Sequence, residues 1–149
     1  MQHALMIGNS DGIGLAATRR LLTAGWNITG ISRSESPVSS SRYHHRVMDV
    51  GNSNYPELLD ELLREYSFDL CIYFAGIGEL LDLKNMRDEP KIIDVNLTGM
   101  FLTCQAAARQ MVAQDYGKII NICSTYGLVG PDQRLYERPD GTRQFKPVY

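Results

Sequence analysis

Gly8-Asn9-Ser10-Asp11-Gly12-Ile13-Gly14 joins an apolar run to an amphipathic one through three glycines at fixed spacing. Ahead of it, Ala4-Leu5-Met6-Ile7 is a short continuous apolar run, which suits a parallel strand buried on both faces. Behind it, Ile13, Ala16, Ala17 and Leu21 fall on one helical face, with Thr18, Arg19 and Arg20 around the rest. A strand that turns into a helix through this corner gives each glycine a separate task. Gly8 turns the chain off the strand, Gly12 lets backbone approach an anion, and Gly14 lets the helix pack closely on the sheet. The free N–H groups of the first helical turn and the positive end of the helix dipole then favour a pyrophosphate. Glycines this dense also occur in ordinary turns, so the reading depends on the rest of the chain.

That chain has 149 residues, 44% of them hydrophobic and 21% charged, enough for one globular domain over 1–149 with its own core. Fifteen basic residues against 17 acidic ones leave a net charge of -2, so no general field draws in nucleic acid or an anionic membrane. Phosphate binding must be local. No apolar run approaches the ~20 residues of a bilayer span, and the N-terminus enters a strand with no signal-peptide core, so a soluble cytoplasmic protein is expected. Cys71, Cys104 and Cys123 are odd in number and set in apolar sequence, which reads as small core residues, neither a disulfide framework nor a zinc site. His44-His45 has no third ligand at useful spacing, so no metal is expected.

Further along, Ala24-Gly25 stops the first helix and Ile28-Thr29-Gly30-Ile31 begins a second strand, which runs into Ser32-Arg33-Ser34. In nucleotide-binding folds of this kind an acidic residue here accepts the ribose hydroxyls, and a basic one accommodates a 2′-phosphate. Arg33 with two hydroxyl neighbours therefore favours NADP(H) over NAD(H), unless Arg33 is only a solvated loop charge. A third strand is expected at His45–Met48 and a helix from about Tyr55 to Tyr66, with Leu58, Leu59, Leu62 and Leu63 inward. Phe68–Phe74 reads as a fourth strand delivering Ala75-Gly76 to the carboxyl edge of the sheet, where open α/β folds bind ligands. Residues 90–116 read as one long helix, apolar around most of its circumference, so a face beyond the one on the sheet is expected to meet a partner subunit. Gly117–Cys123 is the fifth strand, with Ser124 at its carboxyl end. The fold class is thus α/β, a doubly wound parallel sheet in the order 3-2-1-4-5.

Gly8-x-x-x-Gly12-x-Gly14, Asp49-Val50, Ala75-Gly76, Asp94-Val95-Asn96-Leu97-Thr98-Gly99 and Ser124 with Gly127 together resemble the single-domain short-chain dehydrogenase/reductase family over essentially the whole chain. The resemblance implies a Rossmann-type fold and an oxidoreductase moving hydride between a nicotinamide and a small alcohol or carbonyl substrate. It implies that Gly8, Asn9, Ser10, Asp11, Gly12, Ile13 and Gly14 seat the cofactor, with Ser32, Arg33, Asp49, Val50, Ala75 and Gly76 around it. Asp11 counts against NADP(H), because many NADP-preferring relatives carry a basic residue beside that glycine. For catalysis the resemblance assigns Ser124 to the substrate oxygen, Asn96 to a helix bend and the proton relay, and Tyr149 to acid/base work. It also implies a homo-oligomer, dimer or tetramer, through the 90–116 helix.

Four departures accompany it. Ile7 stands where the family usually has Thr, and Tyr73-Phe74 replaces the pair of asparagines before Ala75-Gly76, removing amides that brace the central sheet. The stretch from Ser124 to Tyr149 is about twice the family's usual separation, so 128–148 is expected to be a substrate-side loop, its Arg, Asp, Glu and Gly content fitting a solvated surface loop equally well. The lysine four residues beyond the family's tyrosine has no place in these 149 residues, so the sequence is expected to be incomplete at the catalytic helix. A tyrosine with its ordinary pKa of ~10 is a poor base without a neighbouring cation, so these residues alone are expected to turn over weakly or not at all. A non-catalytic dinucleotide-binding or redox-sensing protein is the competing expectation, and a nucleotide-sugar epimerase is disfavoured by the glycine spacing.

Overall fold

The strand–corner–helix unit recurs and stacks into a five-stranded parallel sheet in a computed structural model that describes residues 2–78, 81–82, 89–141 and 144–145. The elements are β1 (His3–Ile7), α1 (Gly12–Thr23), β2 (Asn27–Ser32), β3 (Tyr43–Val47), α2 (Tyr55–Glu65), β4 (Leu70–Tyr73), β5 (Leu81–Asp82), α3 (Glu89–Ile93), α4 (Met100–Ala113), β6 (Lys118–Asn121) and β7 (Gln144–Phe145). The main sheet runs β3-β2-β1-β4-β6, which is the expected order, since the short β5 pairs antiparallel with β7 outside it. Leu81 faces Phe145 and Asp82 faces Gln144, so the 128–148 segment returns to pair with the chain that follows β4.

Alternation along the central strands splits the core into two layers. Leu5 and Ile7 of β1 with Cys71 and Tyr73 of β4 pack under Tyr55, Leu59 and Leu62 of α2 and Ala106, Ala107 and Met111 of α4. Ala4, Met6, Leu70 and Ile72 face the other way, with Ile28, Tyr43 and Leu22 of α1.

Local expectations hold or shift for identifiable reasons. The α1 stop falls at Gly25, whose φ of +90° is open to glycine, with Trp26 N–H donating back to Leu21. Its buried line, however, is Gly14, Thr18 and Leu22, whereas Ile13 is 70% exposed and Ala16 is outside. Small residues make close contact with the sheet here, a stripe that apolar counting overlooks. Strand β3 begins at Tyr43, two residues before the expected start. The long helix is continuous from Glu89 to Ala113 but contains a widened π turn at Asp94–Gly99. It stops at Asp115, in left-handed conformation with φ of +54°, where Tyr116 N–H closes on Met111 O and Asp115 N–H on Val112 O. Only Cys71 of the three cysteines is a core residue; Cys104 is half-buried and Cys123 exposed.

Candidate dinucleotide and substrate clefts

Gly8 has φ of +78°, and a Cβ there would lie 2.5 Å from Ala75 N, so this glycine lets the ends of β1 and β4 close on each other. A side chain at Gly14 would overlap Gly8 O and Asn9 Cα, which is the close helix-to-strand contact expected of it. At Gly12 the φ is +48° and the surrounding space is open. Asp11 stands at the start of α1 without bonding the first-turn amides through its carboxylate. Those N–H groups have no acceptor within the helix.

Two clefts open at the carboxyl end of the sheet. The first is lined by Gly8, Ser10 and Asp11 of the glycine corner, Ser32, Arg33 and Ser34 after β2, Asp49 and Val50 after β3, and Phe74, Ala75 and Gly76 after β4. The second is lined by Phe74, Ala75, Gly76, Asn96, Ser124 and Tyr126 with an apolar wall of Ile93, Leu97, Met100 and Ile122. They share Phe74-Ala75-Gly76. The corner, the Ala75-Gly76 tip and the Ser124 tip therefore open at one end of the sheet.

Three expected roles need revision. Asn9 is fully buried; its backbone N–H donates to Ser32 Oγ and its amide is turned into the protein, so it is not a cleft-wall residue. The Ile13 side chain is 70% exposed and lies outside the lining of the first cleft. Ser32 donates its single hydroxyl proton to Asn9 Oδ1 at 3.2 Å, leaving Arg33 and Ser34 as the donors of that turn. Asp49 Oδ1 accepts from Gly51 N–H at 3.0 Å and holds the turn after β3.

In the second cleft, Ser124 Oγ accepts from Tyr126 N–H at 3.1 Å, which makes it the cap of a short 3₁₀ turn and leaves its own proton to donate. Asn96 lies in the π turn and clasps the backbone of Ile77: Oδ1 accepts from Ile77 N–H at 2.7 Å and Nδ2 donates to Ile77 O at 3.0 Å. Its amide is committed to the loop after β4. Tyr149 lies outside the described residues.

Sequence reasoning missed Tyr73. It is buried, and its hydroxyl donates to Val95 O at 2.7 Å inside the π turn. Burial foremost, then Asp49 and Cys104, push its pKa up, so the phenol stays protonated as a donor. A Cβ at Gly99 would come within 2.9 Å of that hydroxyl, so the glycine clears its path. Tyr73 thus braces β4 against the helix where the family's asparagines are missing. The signal was present as a tyrosine in an otherwise apolar strand. Tyr126 was missed too; its hydroxyl meets that of Tyr136 at 2.9 Å.

Residues 2–136 match the short chain dehydrogenase family, and the chain belongs to it. It is 30% identical over 151 residues to a 3-oxoacyl-[acyl-carrier-protein] reductase of Synechocystis sp., an alignment covering 91% of this chain and 61% of that protein. It is also 30% identical over 144 residues to D-beta-hydroxybutyrate dehydrogenase of Cupriavidus necator, covering 88% of this chain and 56% of that one. The crystal structure of a short chain dehydrogenase from Leptospira borgpetersenii with bound NAD+ superposes with a TM-score of 0.80 at 25% identity, over 91% of this chain and 56% of that one. The chain spans about three fifths of the length of the curated relatives it matches. Among the described residues no helix is long and apolar enough to cross a membrane, and no cluster of metal-ligating side chains occurs.

Proposed function

We propose that the protein is an NADP(H)-dependent oxidoreductase acting on an alcohol or carbonyl substrate. The observation that carries this reading is the shared wall: Phe74-Ala75-Gly76 borders both the glycine-cornered cleft and the cleft of Ser124. The residues present fit a dinucleotide, because the corner is kept clear by glycines where a Cβ would collide and the first turn of α1 offers uncapped amides to a diphosphate. Arg33 and Ser34 would hold a 2′-phosphate by charge-assisted hydrogen bonds, and Asp11 across the cleft limits how strongly.

A nicotinamide, when bound, supplies or accepts the hydride. This chain's residues would do the rest. Ser124 donates its proton to the substrate oxygen and orients it, while Ile93, Leu97, Met100 and Ile122 exclude water around it. Asn96 keeps the loop bearing Ile77 in place. Acid/base work at the substrate oxygen would fall to Tyr149, a group whose ordinary pKa of ~10 has to be lowered by a neighbouring cation before it can act as a base. A non-catalytic reading drew on the loss of the asparagine pair and on the missing lysine, and the Tyr73 brace answers the first of these. The apolar face of α4 at Phe101, which is not part of the cleft wall, is the surface on which a second copy would dock.

Titration with NADPH and NADH, followed by nicotinamide fluorescence, tests this. NADPH is expected to bind more tightly, and Arg33→Ala to cost about tenfold of that affinity and little for NADH. Tighter NADH binding that ignores Arg33→Ala overturns the cofactor choice; binding of neither by the folded protein overturns the function.

A further inference from the structure

Behind the cleft wall, the Asn9 amide is spent on three elements at once. Its Nδ2 donates to Thr18 Oγ1 of α1 at 3.0 Å and to Tyr43 Oη of β3 at 3.1 Å, and its Oδ1 accepts from Ser32 Oγ at the end of β2. Gly30 is cut to fit this cluster: a Cβ there would lie 2.6 Å from both amide atoms and 2.7 Å from Tyr43 Oη. Tyr43 Oη continues to His45 Nδ1 at 2.9 Å, and His45 Nε2 to Ser34 O at 2.9 Å. A carbonyl only accepts, so Nε2 carries the proton. In the neutral ring Nδ1 then accepts from the Tyr43 hydroxyl. The chain of donors thus begins at Asn9, behind the glycine corner, and ends on the Ser34 carbonyl; Gly8 and Ser10, which flank Asn9, and Ser34 all border the first cleft.

We propose that Asn9, Tyr43 and His45 are positioning residues that pin the Ser32-Arg33-Ser34 turn against the glycine corner and thereby set the discrimination between dinucleotides with and without a 2′-phosphate. This rests on the function proposed above. The chemistry is direct: a phosphate dianion takes hydrogen bonds only from donors, and Asn9 has already used the Ser32 proton. Selection then falls to Arg33 and Ser34, whose distance from the corner the Tyr43–His45 link holds.

Dissociation constants for NADPH and NADH, with Tm measured alongside, test the proposal on the purified protein, His45→Ala, Tyr43→Phe and His45→Gln. His45 lies outside the core, so His45→Ala is expected to keep its Tm while NADPH affinity falls about five- to tenfold and NADH affinity stays within about twofold. Tyr43→Phe should shift the ratio the same way, and His45→Gln, which can still donate to the Ser34 carbonyl, should recover most of it. An unchanged NADPH-to-NADH ratio in His45→Ala and Tyr43→Phe overturns the proposal, as does an equal fall for both ligands in step with Tm. If the unaltered protein binds neither dinucleotide, the function itself is wrong and this role goes with it.

Discussion

The apolar residues of strands β1 and β6 meet opposite fates. Ala4, Leu5, Met6 and Ile7 of β1 are completely buried, while Ile119 and Ile120 of β6 are 36% and 44% exposed and Ile122 just beyond is 48% exposed. The difference lies in neighbours. β1 has β2 on one side and β4 on the other, with α1 over one face and α2 and α4 over the opposite one. Among the described residues β6 pairs only with β4, at the edge of the sheet. An apolar strand contributes stability only where something removes it from water, so the β1 side anchors the fold and the β6 side leaves apolar surface facing solvent.

The strongest test of the anchored side is Gly8→Ala. Positive φ and collision with the Ala75 backbone should cost about 2–4 kcal/mol in thermal or denaturant unfolding and abolish dinucleotide binding. Survival of both would break the account of the corner. Next, Leu5→Ala should cost about 2–5 kcal/mol in urea unfolding, whereas Ile120→Ala should cost about 1 kcal/mol or less. Equal losses would mean that β6 is covered in solution.

Alkali sharpens the contrast through the buried thiol. Burial first, then Cys104, pushes Cys71 from its ordinary 9.0 up to about 12, so the folded protein holds this proton more tightly than the unfolded chain does. Its contribution is intact below pH 9 and is lost as pH climbs from 9 towards 12, at about 1.4 kcal/mol per unit. Cys71→Ala should flatten that decline in pH-dependent urea unfolding, and an unchanged slope would place the thiol in contact with water. The smallest effect on stability is expected from Phe101→Glu on the exposed face of α4, within about 0.5 kcal/mol. Sedimentation velocity should nevertheless show weaker self-association, and an unaltered profile would remove that face from any interface.

The same contrast explains what could be read in advance. The glycine corner, the strand order and the gathering of Arg33, Ala75-Gly76 and Ser124 at one edge follow from local spacing, because each strand of a parallel sheet delivers its carboxyl end to the same side. Asn9 and Tyr73 escaped that logic. Next to a glycine, Asn9 looks like a ligand contact, and only β3, brought in from 34 residues away, gives its amide the Tyr43 hydroxyl and turns it inward. Tyr73 looked like the loss of a brace until the π turn presented the Val95 carbonyl.

By itself the sequence determined the class of fold and which loops share the carboxyl edge of the sheet, since glycine spacing and apolar runs act through short-range sterics and burial that any neighbour would satisfy. Which polar side chains serve the ligand and which hold the scaffold was decided only by tertiary structure. A hydrogen bond needs a partner within about 3 Å, and for Asn9, Ser32, Tyr73 and Asn96 that partner sits on another element.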